Sequence, residues 1–133
     1  MELHPYLPQT EWIQFHMNHG IHVTAYSPFG NLNPTYDDKS GPPSLFKNEV
    51  VVKIAKERNC TPATVALAWG MGRGTSVIPK SQHVEHIKGN FEKCELEYAD
   101  LVALRTLAMK NLTRFGNPSE SWGVHLFEGL EDS

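Results

Sequence analysis

The sequence has few long apolar runs and no excess of one charge. Its longest apolar stretches, 50–52 and 63–69, are far shorter than the roughly 18 to 20 residues that cross a bilayer. The 12 basic and 15 acidic residues give a formal net charge of −3. A membrane span, an anionic membrane surface and a nucleic-acid partner are therefore not expected.

Cysteine is scarce as well, and the histidines are not arranged for a metal. Cys60 and Cys94 are widely separated and match no CxxC pattern, so we expect two reduced thiols and no zinc site. His16, His19 and His22 straddle a predicted helix, a glycine and a strand, so they need not converge. The amino terminus has no basic start followed by an apolar run, which predicts a cytoplasmic chain without a secretory signal.

What the sequence does contain is an alternation of helix and strand patterns. The predicted elements in order are helix 9–19, strand 21–26, helix 50–59, a helix from Pro62 to the glycine-rich stretch 70–74, strand 75–78, helix 81–88 and a helix with an inward stripe at 101–108. Residues 29–44 are rich in glycine, proline and polar residues, which predicts a long loop. Residues 111–133 are predicted to be irregular.

Strands that alternate with helices indicate parallel strands joined by right-handed crossovers, hence an α/β fold. Only two strands are convincing, with a possible third stub at 2–4. Buried parallel strands need neighbours on both edges, and a barrel closes only with its full complement of strands. We therefore expect two or three parallel strands that form one arc of a barrel.

Two segments follow the predicted strands, at the edge where α/β barrels place their active sites. The first consists of Tyr26, Ser27, Pro28, Phe29 and Gly30. The tyrosine ring could face a flat ligand, while Ser27 and nearby amides could hold a phosphate. The same residues also suit a core tyrosine followed by an ordinary Pro-Gly turn, and the local pattern leaves both interpretations open.

The second segment consists of Ile78, Pro79, Lys80 and Ser81. A hydroxyl, a cation and the free amides of a helix starting at Ser81 would attract a phosphate. The alternative is an N-capping serine beside a solvated lysine. Trp122 in the tail is either a binding aromatic or a packing anchor.

At these residues the sequence resembles the aldo-keto reductase family, over nearly its whole length. The resemblance is carried by 2–7, by 20–30 with its Thr-Ala-Tyr-Ser-Pro run, by Val-Ile-Pro-Lys-Ser at 77–81, and by Asn-Phe at 90–91 before a leucine-rich helix. It implies a partial (β/α)8 TIM barrel, roughly strands 6 to 8 with their helices. It also implies that 1–133 is the C-terminal part of an NADP-dependent oxidoreductase domain, with 111–133 as the substrate-facing C-terminal loop.

The family resemblance assigns roles to these residues. It implies that Tyr26 stacks on the nicotinamide, that 27–30 lies along the pyrophosphate, and that Lys80 and Ser81 bind the 2′-phosphate of NADP(H). Further cofactor-binding residues implied by it are Ile78, Pro79, His86 and Asn90, and Trp122 is the implied substrate contact. His86 stands where many relatives carry an arginine, and Gly89 stands where an acidic residue is often found, which weakens the adenosine end.

The catalytic aspartate, tyrosine, lysine and histidine of the family match no position in this chain. We therefore assign no catalytic residue and expect the isolated chain to be inactive, although the complete family enzyme reduces a small aldehyde or ketone as an alcohol dehydrogenase (NADP+) does. The alternative is a non-catalytic cofactor-binding or interaction protein with the same fold, similar to the potassium-channel β subunits. Val-Ile-Pro-Lys-Ser at 77–81 favours the reductase branch.

Overall fold

The structure is a computed structural model that describes residues 1–32 and 41–127. Its elements in order are α1 (Thr10–Asn18), β1 (Thr24–Ala25), a 3₁₀ turn (Leu45–Lys47), α2 (Glu49–Glu57), α3 (Pro62–Gly72), β2 (Ser76–Val77), α4 (Val84–Gly89), α5 (Tyr98–Lys110) and α6 (Ser119–Trp122). The predicted alternation of helix and strand is confirmed. Part of the predicted long loop, 33–40, lies outside the described residues.

The strands are parallel, as predicted. β1 pairs with β2 so that Thr24 lies opposite Ser76 and Ala25 opposite Val77. On the other side of β1, Glu2 forms a parallel bridge with Tyr26, which confirms the predicted stub. The spatial order is therefore the Glu2 segment, β1 and β2.

Both strands are shorter than predicted, and hydrogen bonding at the end of α1 explains this for β1. The Ile21 amide donates to the His16 carbonyl at 2.9 Å, so Ile21 completes the helix end rather than the sheet. Gly20 adopts a left-handed φ of 68° at this point, the usual conformation of a glycine after a helix. The strand ladder begins only after this turn.

The helix α3 starts and ends for different reasons. Thr61 and Thr64 bond each other's backbone amides at 3.1 and 2.9 Å, a reciprocal cap that starts the helix with Pro62 in its first turn. The helix ends at Gly72, inside the glycine-rich stretch predicted to end it, and Gly74 just beyond has a left-handed φ of 79°. A β-carbon on Gly70 would lie 2.9 Å from Val77 Cγ1, so glycine here allows α3 to pack closely on β2.

The core lies between the strands and helices α2, α3 and α5. Its most buried apolar side chains are Leu3, Tyr6, Leu45, Val51, Val65, Leu67 and Leu104. At its margin Arg58, the residue after α2, donates to Asp100 of α5 through Nε at 2.7 Å. Asp100 also accepts the Glu97 amide at 2.8 Å, so one carboxylate starts α5 and ties it to α2.

Three expectations are wrong. Cys60 and Cys94 form a disulfide instead of two free thiols, because the packing of α2 against α5 brings their Cα atoms to 5.8 Å. Ser81 does not cap a helix, because α4 begins at Val84 with His83 as its N-cap. The tail is not wholly irregular, because it contains α6. No helix among the described residues is long and apolar enough to cross a membrane.

Candidate functional site

The sheet register brings the two predicted segments to one edge. The Ile78 amide donates to the Ala25 carbonyl at 3.1 Å, one residue beyond the paired strands. Tyr26 directly follows Ala25, so Tyr26 and Ile78 begin neighbouring loops at the carboxyl ends of parallel strands. This is the edge at which α/β folds bind ligands.

Tyr26 is held through its backbone while its side chain stays accessible. Its amide donates to the Met1 carbonyl at 2.9 Å, and its carbonyl accepts the Leu3 amide at 3.2 Å. The residue is 42% exposed. Partial burial raises the pKa of the Tyr26 phenol, and the negative charge of Glu2 raises it further. The ring is therefore a neutral, half-open face.

The residues after Tyr26 form a tight turn. Ser27 has a left-handed φ of 51°, and the Gly30 amide donates to the Ser27 carbonyl at 2.8 Å. Such a conformation is strained for a serine and is found more often at functional sites. Phe29 is buried, with its ring 5.2 Å from that of Phe46. The Phe29 side chain thus anchors the turn to the core.

Beneath this turn lies a buried pair that the sequence reasoning did not identify. The Glu2 and His4 side chains have no exposed surface, and His4 Nε2 lies 2.9 Å from Glu2 Oε1. Because an ionised carboxylate only accepts, Nε2 carries a proton and donates it. Burial alone would raise the pKa of the Glu2 carboxyl, but hydrogen bonding and charge interaction with His4, together with two amide donors, lower it below its ordinary value.

Those two amides belong to the C-terminal tail. The Phe115 amide donates to Glu2 Oε1 and the Gly116 amide to Glu2 Oε2, each at 2.8 Å. A β-carbon on Gly30 would lie 3.0 Å from the Phe115 ring. The tail therefore lies directly against the turn that follows β1. The sequence signal for this contact was the pair Glu2 and His4, two residues apart in the predicted strand stub.

The second predicted segment is more open. Ile78 is 57% exposed, Lys80 is exposed, and no ion pair involves Lys80 among the residues that the structure describes. Ser81 Oγ accepts the His83 amide at 3.1 Å, which shapes the turn before α4. The segment thus presents a free cation and a hydroxyl beside the strand end.

The other residues predicted to bind cofactor or substrate, His86, Asn90 and Trp122, lie outside the two strand-end segments. His86 is exposed on α4, with its ring 5.1 Å from that of His83. The Asn90 amide donates to the His86 carbonyl at 3.0 Å, which ends the helix. Trp122 is 68% exposed in α6, so its interpretation as a packing anchor is not supported in this structure.

A groove in the described chain lies elsewhere. It has a volume of about 780 Å³ between α1, α3 and α5, and is lined by residues that include Arg73, Tyr98 and Arg105. Neither Tyr26 nor Lys80 lines it, so we place the candidate site by strand-end geometry rather than by volume. No group of three His, Cys, Asp or Glu side chains suited to a metal occurs in residues 1–32 and 41–127.

Comparison with known proteins places this geometry in a family. The family model described as "Aldo/keto reductase family" matches residues 1–105. A solved structure of aldose reductase from Giardia lamblia superimposes with a TM-score of 0.83 and 32% identity, covering 95% of this chain and 41% of that one. The fold is therefore part of a (β/α)8 barrel, as expected.

Several curated proteins are also similar to this chain over nearly its whole length. An uncharacterized oxidoreductase of Schizosaccharomyces pombe is 46% identical over 99% of this chain and 40% of its own length. The NADPH-dependent D-xylose reductase of Candida boidinii is 35% identical over 95% of this chain and 40% of its own. The glycerol 2-dehydrogenase (NADP(+)) of Hypocrea jecorina is 33% identical over 96% and 39%. The chain thus spans about two fifths of the length of these relatives.

Proposed function

The chain belongs to the aldo/keto reductase family, and on that premise we propose that it forms the NADP(H)-binding part of a carbonyl-reducing barrel. In this proposal 1–133 supplies roughly strands 6 to 8, and 111–133 is the substrate-facing loop. The substrate of the whole protein is a small aldehyde or ketone. Relatives named as NADPH-dependent or NADP(+) enzymes support this choice of cofactor.

One observation carries the proposal. The hydrogen bond from the Ile78 amide to the Ala25 carbonyl aligns the loop after Tyr26 with the loop that holds Lys80. A dinucleotide needs an aromatic face for one end and a cation for the phosphate at the other. Tyr26 offers a half-open ring and Lys80 an exposed ammonium group without an ion-pair partner in the described chain. These residues fit the cofactor.

Each segment has a separate role in this proposal. Tyr26 stacks on the nicotinamide, and 27–30 follows the pyrophosphate. Lys80 and Ser81 hold the 2′-phosphate beside Ile78 and Pro79, while His86 and Asn90 approach the adenosine end. Trp122 faces the substrate. When bound, NADP(H) would supply the hydride.

Tyr26 is not proposed as the proton donor. A general acid works best with a pKa near the operating pH, whereas burial and the Glu2 charge move the pKa of Tyr26 further above that range. We propose that this chain contains no catalytic acid. A positioned acid contributes roughly 10² to 10⁴ in rate, so the 133-residue chain by itself will show no measurable turnover.

The test separates binding from turnover. NADPH and NADH affinities are measured by titration, and NADPH oxidation is followed with a panel of reactive aldehydes. We expect NADPH to bind more tightly than NADH, with no oxidation by the chain alone. Equal affinities that Lys80→Ala leaves unchanged would refute the cofactor site, and turnover abolished by Tyr26→Phe would refute the stacking role.

A cytoplasmic location also remains a proposal. Disulfides persist mainly in oxidising compartments, so the Cys60–Cys94 pair offers a direct check. Alkylation of the protein in freshly lysed cells, followed by mass measurement, reports whether both thiols are free. Two alkylated cysteines would support a reducing compartment in which the disulfide of the structure does not persist, whereas an unmodified pair, the state found in the structure, would contradict a cytoplasmic location.

A further inference from the structure

The C-terminal tail is fastened to the strand end by one buried carboxylate. We propose that Glu2 is a positioning residue, which holds the tail against Tyr26 and the turn after β1, where the nicotinamide end of the cofactor would lie. The location of that end rests on the proposed function. The fastening itself rests only on contacts within the chain, so the two can be tested separately.

Both oxygens of Glu2 are used. Oε1 accepts the Phe115 amide and Oε2 accepts the Gly116 amide, each at 2.8 Å, while His4 Nε2 donates to Oε1 at 2.9 Å. We call Glu2, His4, Phe115 and Gly116 the tail anchor. Hydrogen bonds to a charged acceptor are shorter and stronger than neutral ones, and burial excludes competing water. The His4 ring shares Oε1 with the Phe115 amide, and its centroid lies 5.3 Å from that of the Phe115 ring.

Two close approaches show that the tail packs against the turn after β1 and is not held by the Glu2 hydrogen bonds alone. A β-carbon on Gly116 would lie 2.8 Å from Glu2 Oε2 and 3.7 Å from the Tyr26 hydroxyl. A β-carbon on Gly30 would meet the Phe115 ring at 3.0 Å. The tail anchor therefore packs the tail against both ends of the 26–30 segment. A displacement of the tail must change the surroundings of the Tyr26 ring.

Amide hydrogen exchange measures the anchor without any cofactor. In the wild-type chain we expect the Phe115 and Gly116 amides to be protected. Glu2→Gln keeps the size of the side chain, replaces one acceptor oxygen with an NH2 group and removes the negative charge. The Phe115 and Gly116 amides should therefore exchange at least about tenfold faster. The Ser76 and Ile78 amides, which pair within the sheet, serve as the internal reference for an intact fold.

A second variant covers the case in which Glu2→Gln unfolds the chain. Gly116→Ala leaves the carboxylate in place but adds a methyl group where Oε2 lies at 2.8 Å, so it should release the same amides. Gly72→Ala is the matched control, because nothing lies within 4 Å of its added methyl group. Wild-type exchange rates at Phe115 and Gly116 in both Glu2→Gln and Gly116→Ala would overturn the proposal.

The Tyr26 phenol provides a readout that simple loosening does not reproduce. Burial and the Glu2 charge raise the pKa of Tyr26, and Arg114 in the tail lowers it. With ¹³C-labelled tyrosine, assigned through Tyr26→Phe, the ionisation midpoint should fall in Glu2→Gln because the negative neighbour is lost while Arg114 is retained. Gly116→Ala retains that charge, so its midpoint should stay above that of Glu2→Gln. Identical midpoints in wild type and Glu2→Gln would contradict the assignment of Glu2 as the neighbour that positions the tail beside Tyr26.

NADPH titration of the same samples separates the two proposals. Protected Phe115 and Gly116 amides without NADPH binding would refute the proposed function and leave the tail anchor standing. NADPH binding with amides that exchange as fast as an unstructured peptide would refute the tail anchor and leave the proposed function standing.

Discussion

The two halves of the candidate site are built differently. At the Tyr26 end, short hydrogen bonds join Glu2, His4 and the tail at 115–116. The side chains of Glu2 and His4 are wholly buried. At the Lys80 end Ile78 and Lys80 are exposed, and within the described residues the Ser81 hydroxyl bonds to His83 in its own turn. The first half is preorganised by the fold, whereas the second is a set of solvated groups whose contribution depends on the ligand.

This difference predicts that mutations at the two ends affect different properties. Changes at the buried end should lower the stability of the chain, because they leave desolvated partners unpaired. Changes at the open end should lower ligand affinity and leave stability unchanged. The following experiments test that separation, from the largest expected effect to the smallest.

Glu2→Ala should be the most disruptive change. It removes a fully buried carboxylate that accepts from His4 and from two tail amides, so we expect a loss of about 3 kcal/mol in the free energy of unfolding. Urea denaturation measures this. The control is Glu85→Ala, because in the described part of the chain Glu85 pairs with Lys88 alone, at 3.7 Å, with both side chains exposed. A loss below about 1 kcal/mol for Glu2→Ala would mean that the buried end contributes no more to stability than an exposed ion pair does.

Lys80→Ala should lower the affinity for NADPH without changing the stability of the chain. Removal of one charged phosphate contact is expected to weaken NADPH binding about 10- to 100-fold, with little change for NADH and none in the urea midpoint. Lys93→Ala is the matched control, since Lys93 is also an exposed lysine but lies after α4. Equal losses for both lysines would indicate a general charge effect and not a phosphate site.

Acid should weaken the buried end selectively. The pKa of Glu2 is lowered in the folded state, so its stabilising effect is complete above its ordinary value of 4.5 and is lost as the pH falls through the folded value. Urea midpoints at pH 7, 5, 4 and 3 should therefore fall more steeply for wild type than for Glu2→Gln. Parallel profiles would show that another group dominates the acid response.

Substitutions of Tyr26 should have the smallest effects. If its ring only stacks, Tyr26→Phe retains the contact and should change NADPH affinity less than about twofold. Tyr26→Ala removes the ring, which is worth roughly 0.5 to 1.5 kcal/mol beyond its buried area, and should weaken binding several-fold. An equal loss in both variants would mean that the hydroxyl and not the ring makes the contact.

Local patterns predicted much of the fold. Thr61 with Pro62 marked the start of α3, Gly20 marked the end of α1, and the prolines at 28 and 79 followed the two strands. Each of these signals depends on backbone chemistry within a few residues. The same locality explains a failure: Ser81 resembled a helix cap, but its hydroxyl accepts the His83 amide in a turn and α4 starts later.

The sequence by itself determined the alternation of helices and parallel strands, the carboxyl ends of those strands to within one residue, and the residue types that could face a dinucleotide. Only the tertiary structure decided that Glu2 is buried and bound to Gly116, that Cys60 meets Cys94, and that Tyr26 lies beside the tail. Glu2 and Gly116 are 114 residues apart, and no periodicity relates them. Such pairings follow from the packing of complete elements, because a buried charge is tolerated only where distant backbone donors happen to converge on it.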